Sequence, residues 1–379
     1  MLKFFTLINL LLATVSLPLM ALEIDSEKLF LSRLQPYSKP IVANHTITVK
    51  NSFELLRAVN KANAQGDTLI YLHEGQYNLK QTLFIKANKI QIVSLSNNPF
   101  NTVLRGKGMK STRGVDNLLR VSGSNFLLSG VTLELAGNHL LQIAGESKAH
   151  NPIIRNCVFQ DGYEQLIKVT YNVNQPEHYS RGGVIENNLF RYTAGIGPNY
   201  YIGGVDAHGI QDWIIQNNVF DSIASPAKHI AEHAIHLWNN SANNKVNNNL
   251  IINSDRGIGF GMRNGINHKL KYGNLGGEIR NNIIYHANNN HKYADAGITL
   301  EDSAETNIVN NIVFLEHKYR SAIEYRFPST TGVFIAKNIT NKAITKRDGA
   351  EAILLENITK NNKQAELALT ARLELFLKH

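Results

Sequence analysis

The sequence repeats one short pattern eight times: IIRNCVF at Ile153, VIENNLF at Val184, IIQNNVF at Ile214, KVNNNLI at Lys245, EIRNNII at Glu278, NIVNNIV at Asn307, FIAKNIT at Phe334 and ILLENIT at Ile353. Each copy has apolar residues, then asparagine, then apolar residues again. Steps between copies run from 27 to 33 residues and shorten to 19 at the end. A period of this size is typical of solenoid proteins.

The repeat predicts an all-β fold, a right-handed parallel β-helix. One coil of three short strands cannot bury its apolar face alone, so coils stack and share one interior. Asparagine suits the turns because it tolerates left-handed backbone and its amide can bond the asparagine of the next coil. We interpret the following residues as a structural ladder: Asn156, Asn188, Asn218, Asn249, Asn282, Asn311, Asn338 and Asn357.

Two amphipathic segments flank the strand pattern. Residues 52–65 have helical apolar spacing and precede the first coil, where a helix would cover the open end of the solenoid. Residues 364–377 could do the same at the other end. We therefore expect a signal peptide at 1–21, an N-terminal segment at 22–49, the β-helix at 50–362 and a C-terminal helix at 363–379.

The N-terminus has the pattern of an export signal. Lys3 precedes an almost wholly apolar run from Phe4 to Leu19, and Ala21 offers a small residue for cleavage. This predicts a periplasmic or secreted protein without a stable membrane anchor. Cys157 is the single cysteine, so no intramolecular disulfide can form, and we expect it to be a small buried hydrophobe.

The charge balance points to an anionic partner. The formal net charge is +9 and the isoelectric point is near 9.4, which suits an acidic polysaccharide or oligosaccharide. Lysine and arginine are scattered rather than clustered with aromatic residues, so nucleic acid is not expected. A basic but merely soluble protein is the alternative. We expect a monomer.

The opening of the repeat region resembles a known superfamily. The run ELLRAVNKANAQGDTLIYLHEGQYNL at 54–79, followed by IQIVS and TVLRG, is similar to pectate-lyase-like β-helix proteins, nearest to chondroitinase B and alginate lyase types. The central coils also resemble uncharacterised bacterial β-helix repeat proteins. The resemblance covers about residues 50 to 360 and implies the fold. It is less specific for activity, because this solenoid hosts lyases, hydrolases, epimerases and adhesins without catalytic activity.

The resemblance to chondroitinase-type lyases implies a calcium ion that neutralises the uronate, a lysine base and an arginine on the next coil. It puts Glu232 near a calcium carboxylate and Arg256 or Arg263 near the arginine. The lysine position falls at His236–Trp238, where no lysine stands, and no second carboxylate adjoins Glu232.

Polar residues of the central coils supply the candidate site. Elimination from a uronate needs charge neutralisation, a base and an acid for the leaving oxygen. Arginine can grip the carboxylate, histidine can be the base, tyrosine can be the acid, and tryptophan can stack on sugar. The candidate catalytic residues are His208, His236, Arg256 and Glu301. The candidate substrate-binding residues are Tyr201, Asp206, Trp238, Arg263, Tyr325 and Arg326.

These residues also have structural interpretations, which the sequence leaves open. A histidine on a coil can simply be hydrogen-bonded, Trp238 can be packing, and Asp255 with Arg256 can be an ion pair. His229, Glu232 and His233 spell H-x-x-E-H, a zinc-protease signature that requires a helix. A strand pattern follows at once, so we set that chemistry aside. A transition metal bound by His229, His233 and His236 stays open.

The sequence thus predicts a polysaccharide lyase, with three alternatives. A glycan-binding or surface β-helix without activity would scatter these polar residues. A uronate epimerase would share the groove. A glycoside hydrolase would need two carboxylates about 5 to 9.5 Å apart, for which Asp206, Asp255 and Glu301 are candidates.

Overall fold

A computed structural model describes residues 24–34, 42–110, 115–262, 270–287 and 291–378. Within them the chain winds through three long sheets and one small one, and every strand pair is parallel. Three helices flank the sheets: α1 (Ser26–Ser32), α2 (Ser52–Gln65) and α3 (Asn362–Lys378). The prediction of an all-β, right-handed parallel β-helix is confirmed, and its hand is the one that parallel crossovers favour.

The strands of sheet A are β1 (His45–Val49), β2 (Thr68–Leu72), β5 (Ile90–Ser94), β8 (Leu127–Ser129), β11 (Ile153–Arg155), β14 (Val184–Glu186), β17 (Ile214–Gln216), β21 (Lys245–Asn247), β25 (Glu278–Arg280), β29 (Asn307–Val309), β32 (Val333–Ala336) and β35 (Ala352–Leu355). Those of sheet B are β3 (Gly75–Asn78), β6 (Thr102–Arg105), β9 (Thr132–Glu134), β12 (Val158–Gln160), β15 (Leu189–Arg191), β18 (Val219–Asp221), β22 (Leu250–Ile252), β26 (Ile283–His286), β30 (Ile312–Leu315), β33 (Ile339–Thr340) and β36 (Ile358–Thr359).

Sheet C contains β4 (Leu83–Ile85), β7 (Leu119–Val121), β10 (Leu141–Ala144), β13 (Ile167–Thr170), β16 (Val205–His208), β19 (His233–Trp238), β23 (Arg256–Phe260), β27 (Ile298–Glu301), β31 (Ser321–Arg326) and β34 (Ala343–Arg347). The small sheet D contains β20 (Ser241–Ala242), β24 (Asn274–Leu275) and β28 (Ser303–Ala304).

The asparagine ladder lies at the turn between sheets A and B. In every rung but the last, the buried amide donates to the Oδ1 of the next asparagine and to a backbone carbonyl of the preceding coil. Asn249, for example, donates to Asn282 Oδ1 at 3.0 Å and to Ile215 O at 2.9 Å. The rungs are Asn188, Asn218, Asn249, Asn282, Asn311, Asn338 and Asn357. The amides bond from coil to coil, as expected for a structural ladder.

The expectation for Asn156 is wrong by one residue. Cys157 holds the first ladder position, and its backbone N–H donates to Asn188 Oδ1 at 2.9 Å. Asn156 instead takes the left-handed turn position, with φ 52°, like Asn187 and Asn217 in the next coils. The left-handed turn and the amide ladder therefore fall on adjacent residues. Cys157 is buried as predicted, and burial raises the pKa of its thiol to about 12.

The helices decide which outer face stays open. As expected, α2 covers the first coil, with Leu55, Val59 and Ala62 buried in the core. The C-terminal helix lies elsewhere than expected: α3 packs with α1 on the outer face of sheet B instead of across the end. That face is apolar in strands β22 to β30, so a helix can bury it there. Sheet C carries no such helix among the described residues.

The structure covers only part of the N-terminal region for which predictions were made. The proposed signal peptide, 1–21, lies outside the described residues. The first strand, β1, begins at His45, shortly before the expected start of the solenoid at residue 50. Within the described ranges, none of the helices has the length and apolar character needed to span a membrane.

Candidate active site

The outer face of sheet C carries two rows of polar side chains. Strand pairing aligns the first row across successive coils as Lys168, Asp206, His236, Gly259, Thr299 and Glu324. The second row contains His208, Trp238, Glu301 and Arg326. Because neighbouring strands lie about 4.8 Å apart, side chains of adjacent coils touch, and those several coils apart do not.

Asp206 forms the centre of the first row. It is 1% exposed, and its Oδ2 forms an ion pair with Lys168 Nζ. Its Oδ1 accepts a hydrogen bond from Trp238 Nε1 at 2.7 Å. Burial raises the pKa of this carboxyl, but Lys168, His208 and His236 outweigh burial and hold the pKa well below its usual range. Asp206 is therefore a carboxylate whose oxygens are already engaged.

His208 stands beside Asp206, and its ring is held at both nitrogens. Nε2 lies 2.8 Å from Lys168 Nζ, and Nδ1 lies 3.0 Å from the side-chain amide of Asn239. Burial lowers the pKa of His208, although Asp206 acts in the opposite direction. A charged Lys168 can only donate, so Nε2 accepts from it, and Nδ1 faces the side-chain amide of Asn239. The side chain keeps 17% of its surface exposed, so the neutral imidazole can be reached from outside.

His236 is fully buried between two acceptors. Nε2 lies 3.0 Å from the carbonyl of Gly261, and Nδ1 lies 3.3 Å from Glu232 Oε2. Burial alone would lower the pKa, but Glu232 and Asp206 raise it above its usual value. The ring stacks on Trp238 with a centroid separation of 5.0 Å and an interplanar angle of 8°. Trp238 thus has a bonded indole nitrogen and one face already covered.

His233 lies beside His236 and is neutral. Its Nε2 contacts Thr299 Oγ1 at 2.7 Å, and the two histidine rings are 4.5 Å apart. Burial first, then the neighbouring His236, lowers the pKa of His233 well below its usual value. The ring occupies the space over Gly259, where an added Cβ would lie 2.5 Å from His233 Nε2. Glycine is therefore required there to make room for the ring.

Tyr201 borders this cluster from the loop before β16. It is 42% exposed, and its backbone N–H donates to Asn199 Oδ1 at 2.6 Å. Burial raises the pKa of its phenol; Lys168 lowers it, and Asp206 raises it. The charges of the cluster thus act on a hydroxyl that stays protonated and accessible to solvent.

The other predicted residues form ion pairs with other partners or lie inside the core. Arg256 is in register with His233 and pairs with Asp295 at 3.4 Å, which fits the ion-pair interpretation with a different partner. Glu301 pairs with Arg326 at 3.1 Å, two coils beyond Trp238. These groups line the same face without joining Asp206 and His208.

The structure corrects the expectation for Tyr325. It packs in the hydrophobic core at 5% exposure, because it alternates along β31 with Glu324 and Arg326. Arg263 lies outside the described residues.

Lys168 is the residue that sequence reasoning missed. It lies 38 positions before Asp206, whereas the alignment of coils assumed a step near 30 residues. The signal was present, since a lysine flanked by Ile167 and Val169 in a strand pattern must face outward. The resemblance implied a lysine at His236–Trp238; the cluster does contain one, contributed from two coils upstream.

The metal expectations meet a mixed donor set. Glu232, His233 and His236 offer ligand atoms within 4.8 Å of one another. Calcium prefers six to eight oxygens, and two imidazoles beside one carboxylate do not fit it. His229 is exposed on a loop, where its ring contacts Tyr200, so it is not part of this trio. The H-x-x-E-H motif does not lie on a helix, as expected.

A second trio of possible ligands lies at the turns between sheets B and C. Asp255, His286 and His291 also bring ligand atoms within 4.8 Å. Burial is the main cause that raises the pKa of Asp255 to about 6. This trio is separate from the Asp206 cluster.

Three comparisons with known proteins gave matches among solved structures only, all at low sequence identity. No protein-family model matches the chain, and no curated protein matches it. An alginate lyase from Paenibacillus is 17% identical over 83% of this chain and 100% of its own, with a TM-score of 0.47. A surface adhesin of Streptococcus pneumoniae is 12% identical over 82% and 88%, with a TM-score of 0.49.

A mannuronan C-5 epimerase module from Azotobacter vinelandii is 15% identical over 85% of this chain and 95% of its own, with a TM-score of 0.43. A lyase, an epimerase and an adhesin thus stand side by side among the similar structures. The fold itself is established by the strand pairing, which is parallel throughout the described residues.

Proposed function

We propose that this protein is a polysaccharide lyase that cleaves an acidic glycan on the outer face of sheet C. The observation that carries the proposal is the neutral His208 imidazole, held 2.8 Å from the Lys168 ammonium above a buried carboxylate. A cation that can bind a uronate and a base that can deprotonate it are therefore neighbours. The basic net charge of +9 favours the approach of a polyanion.

The proposed reaction starts with competition for Lys168. An incoming uronate carboxylate attracts the ammonium away from His208, which frees the Nε2 lone pair where the sugar is bound. His208 then removes the proton from the carbon beside the carboxylate. The electron pair of that bond forms a carbon–carbon double bond, and the bond from the neighbouring carbon to the glycosidic oxygen breaks. Tyr201 donates its phenolic proton to the leaving oxygen.

Asp206 has a positioning role in this proposal. Its oxygens hold Lys168 and the Trp238 indole, so it fixes the cation and the aromatic ring relative to His208. Because both oxygens are engaged and buried, Asp206 is poorly suited to be one of the two carboxylates of a glycoside hydrolase. The arrangement therefore favours elimination over hydrolysis.

The test is the appearance of unsaturated uronate, followed by its ultraviolet absorbance. Purified protein is given alginate, pectate, chondroitin, heparin and hyaluronan, with and without calcium. We expect one glycan to give product, and we expect His208→Ala and Lys168→Met to lower kcat/KM by about 10²- to 10⁴-fold, the usual contribution of a general base. Arg326→Met is the matched control, since it removes a cation from the same face outside the cluster.

The alternatives give different results in the same assay. Glycan binding without product would support a binding protein, reducing ends without unsaturation a hydrolase, and a change in uronate configuration without cleavage an epimerase. If product forms and Lys168→Met is as active as wild type, the assigned chemistry is wrong. Export to the periplasm or the medium, and a monomeric state, are part of the proposal.

A further inference from the structure

Two neighbouring buried histidines each have Nε2 in a hydrogen bond and Nδ1 buried without one. His236 Nε2 is held by the carbonyl of Gly261 at 3.0 Å, and His233 Nε2 is held by Thr299 Oγ1 at 2.7 Å. Among the described residues, His233 Nδ1 has no hydrogen-bond partner, and His236 Nδ1 faces the Glu232 carboxylate at 3.3 Å and the Asp206 carboxylate at 3.8 Å without a hydrogen bond to either. Buried nitrogens without partners are rare, because losing water costs free energy.

Because Nε2 of each ring is hydrogen-bonded, Nδ1 of each ring is available as a metal ligand. A histidine that donates through Nε2 to a backbone carbonyl or another oxygen presents the Nδ1 lone pair as a ligand, and such outer hydrogen bonds orient metal-binding rings. His233 and His236 are 3% and 0% exposed, so both rings are fixed by packing. Together with Glu232, they offer one ligand atom each, and these three atoms lie within 4.8 Å of one another.

A proton explains only part of this arrangement. A proton on His236 Nδ1 would face Glu232 Oε2 at 3.3 Å, but it would leave His233 Nδ1 buried without a partner. One divalent cation between the three atoms would satisfy both nitrogens and the carboxylate together. The metal therefore accounts for an additional atom that the proton leaves unexplained.

We propose that Glu232, His233 and His236 bind a divalent transition metal, most suitably Zn²⁺, with a further coordination position left for a non-protein ligand. Two imidazoles and one carboxylate form the ligand set of many open zinc sites, and imidazole selects transition metals over calcium. The site adjoins the Asp206 cluster, since His236 Nδ1 lies 3.8 Å from Asp206 Oδ1. Its occupancy does not depend on lyase activity.

Metal content and a cobalt spectrum test the proposal. Full-length protein is stripped with a chelator, dialysed against Zn²⁺, and its metal is measured. In parallel it is titrated with Co²⁺, whose visible absorption reports low-coordinate nitrogen and oxygen ligands. We expect wild type to bind one more equivalent than His233→Ala or Glu232→Gln. Counting the difference keeps metal at the trio of Asp255, His286 and His291 out of the result.

Two further variants make the test specific. His229→Ala removes an exposed histidine three positions from Glu232 and should leave the extra equivalent and the Co²⁺ spectrum intact. Thr299→Val removes only the outer partner of His233 and should weaken Co²⁺ binding by about 10- to 100-fold. Glu232→Gln keeps the shape of a side chain that is 23% exposed, so it serves if His233→Ala does not fold. Equal metal content in wild type and folded Glu232→Gln would overturn the proposal.

Discussion

The asparagine ladder and the cluster of Lys168, Asp206, His233 and His236 on sheet C are both buried and polar. They nevertheless follow opposite rules. In the ladder one residue type recurs, and each interior amide is bonded through nitrogen and oxygen to neighbouring coils. In the cluster every rung is different, and His233 Nδ1 has no hydrogen-bond partner among the described residues. Repetition with full hydrogen bonding is the mark of a stabilising element. The unsatisfied atom in the varied cluster is the observation behind the proposed metal site.

The first prediction tests the stabilising role of the ladder by removing one interior asparagine. Asn249→Ala takes away the acceptor of the Asn218 amide and the donor to Ile215 O. Buried groups that lose their partners cost about 1 to 3 kcal/mol each, so we expect a loss of about 3 kcal/mol in unfolding free energy. Urea unfolding followed by circular dichroism measures it.

The neighbouring residue is the control for that rung. Asn248 is exposed in the left-handed turn with φ 56°, so Asn248→Gly should stay within about 0.5 kcal/mol of wild type. Equal losses for the two variants would show that the turn, and not the ladder, carries the stability.

The second prediction concerns acid, because amides do not titrate and histidines do. Burial, with a contribution from His317, lowers the pKa of His286 to about 3, whereas an unfolded histidine has a pKa of about 6.5. Below a pH of about 6.5, His286 binds a proton in the unfolded chain but not in the folded chain. The unfolding free energy therefore decreases as the pH is lowered. When the pH is lowered from about 7.5 to 5, His286 alone should decrease the unfolding free energy by about 2 kcal/mol.

A substitution separates that histidine from the rest. Over the same pH interval, the unfolding free energy of His286→Gln should decrease by about 2 kcal/mol less than that of wild type. His45→Gln, which replaces an exposed histidine, is the control and should respond like wild type. Urea unfolding at the two pH values gives both numbers. An unchanged acid response in His286→Gln would mean that the ring is hydrated in the folded protein.

The smallest expected effect sharpens the contrast within the cluster itself. Gly259→Ala places a Cβ 2.5 Å from His233 Nε2, so the ring must move away from Thr299. We expect a loss of about 1 kcal/mol in stability, at the low end for overpacking, together with weaker Co²⁺ binding like that of Thr299→Val. A variant that binds Co²⁺ as tightly as wild type would show that the position of the His233 ring does not matter.

The sequence was sufficient for the fold because the ladder needs the same residue in every coil. Asn188 to Asn357 could be placed by repetition alone, and only the first rung failed, where Cys157 replaces asparagine. Side-chain alternation is equally readable. It should have excluded Tyr325, because adjacent residues of a strand face opposite sides and Arg326 was placed in the same site.

The candidate site was less predictable because it depends on the register between coils. Lys168 reaches Asp206 only after a step of 38 residues, and a fixed step near 30 residues does not find it. The gap at Gly259, which admits His233, follows from pairing with His236 in the adjacent strand. A local pattern cannot reveal such a contact, because its two partners are set by the length of the loop between them.

The uneven loops have an evolutionary consequence. Steps along the ladder range from 33 residues to 19, yet each advances the stack by one strand spacing of about 4.8 Å. Residues added to a loop therefore leave the packing of the stacked strands unchanged. A lineage can lengthen, shorten or exchange the loops that border sheet C while Lys168, Asp206 and His208 keep their places. If the proposed lyase activity holds, substrate preference can thus diversify while the proposed reacting groups stay unchanged.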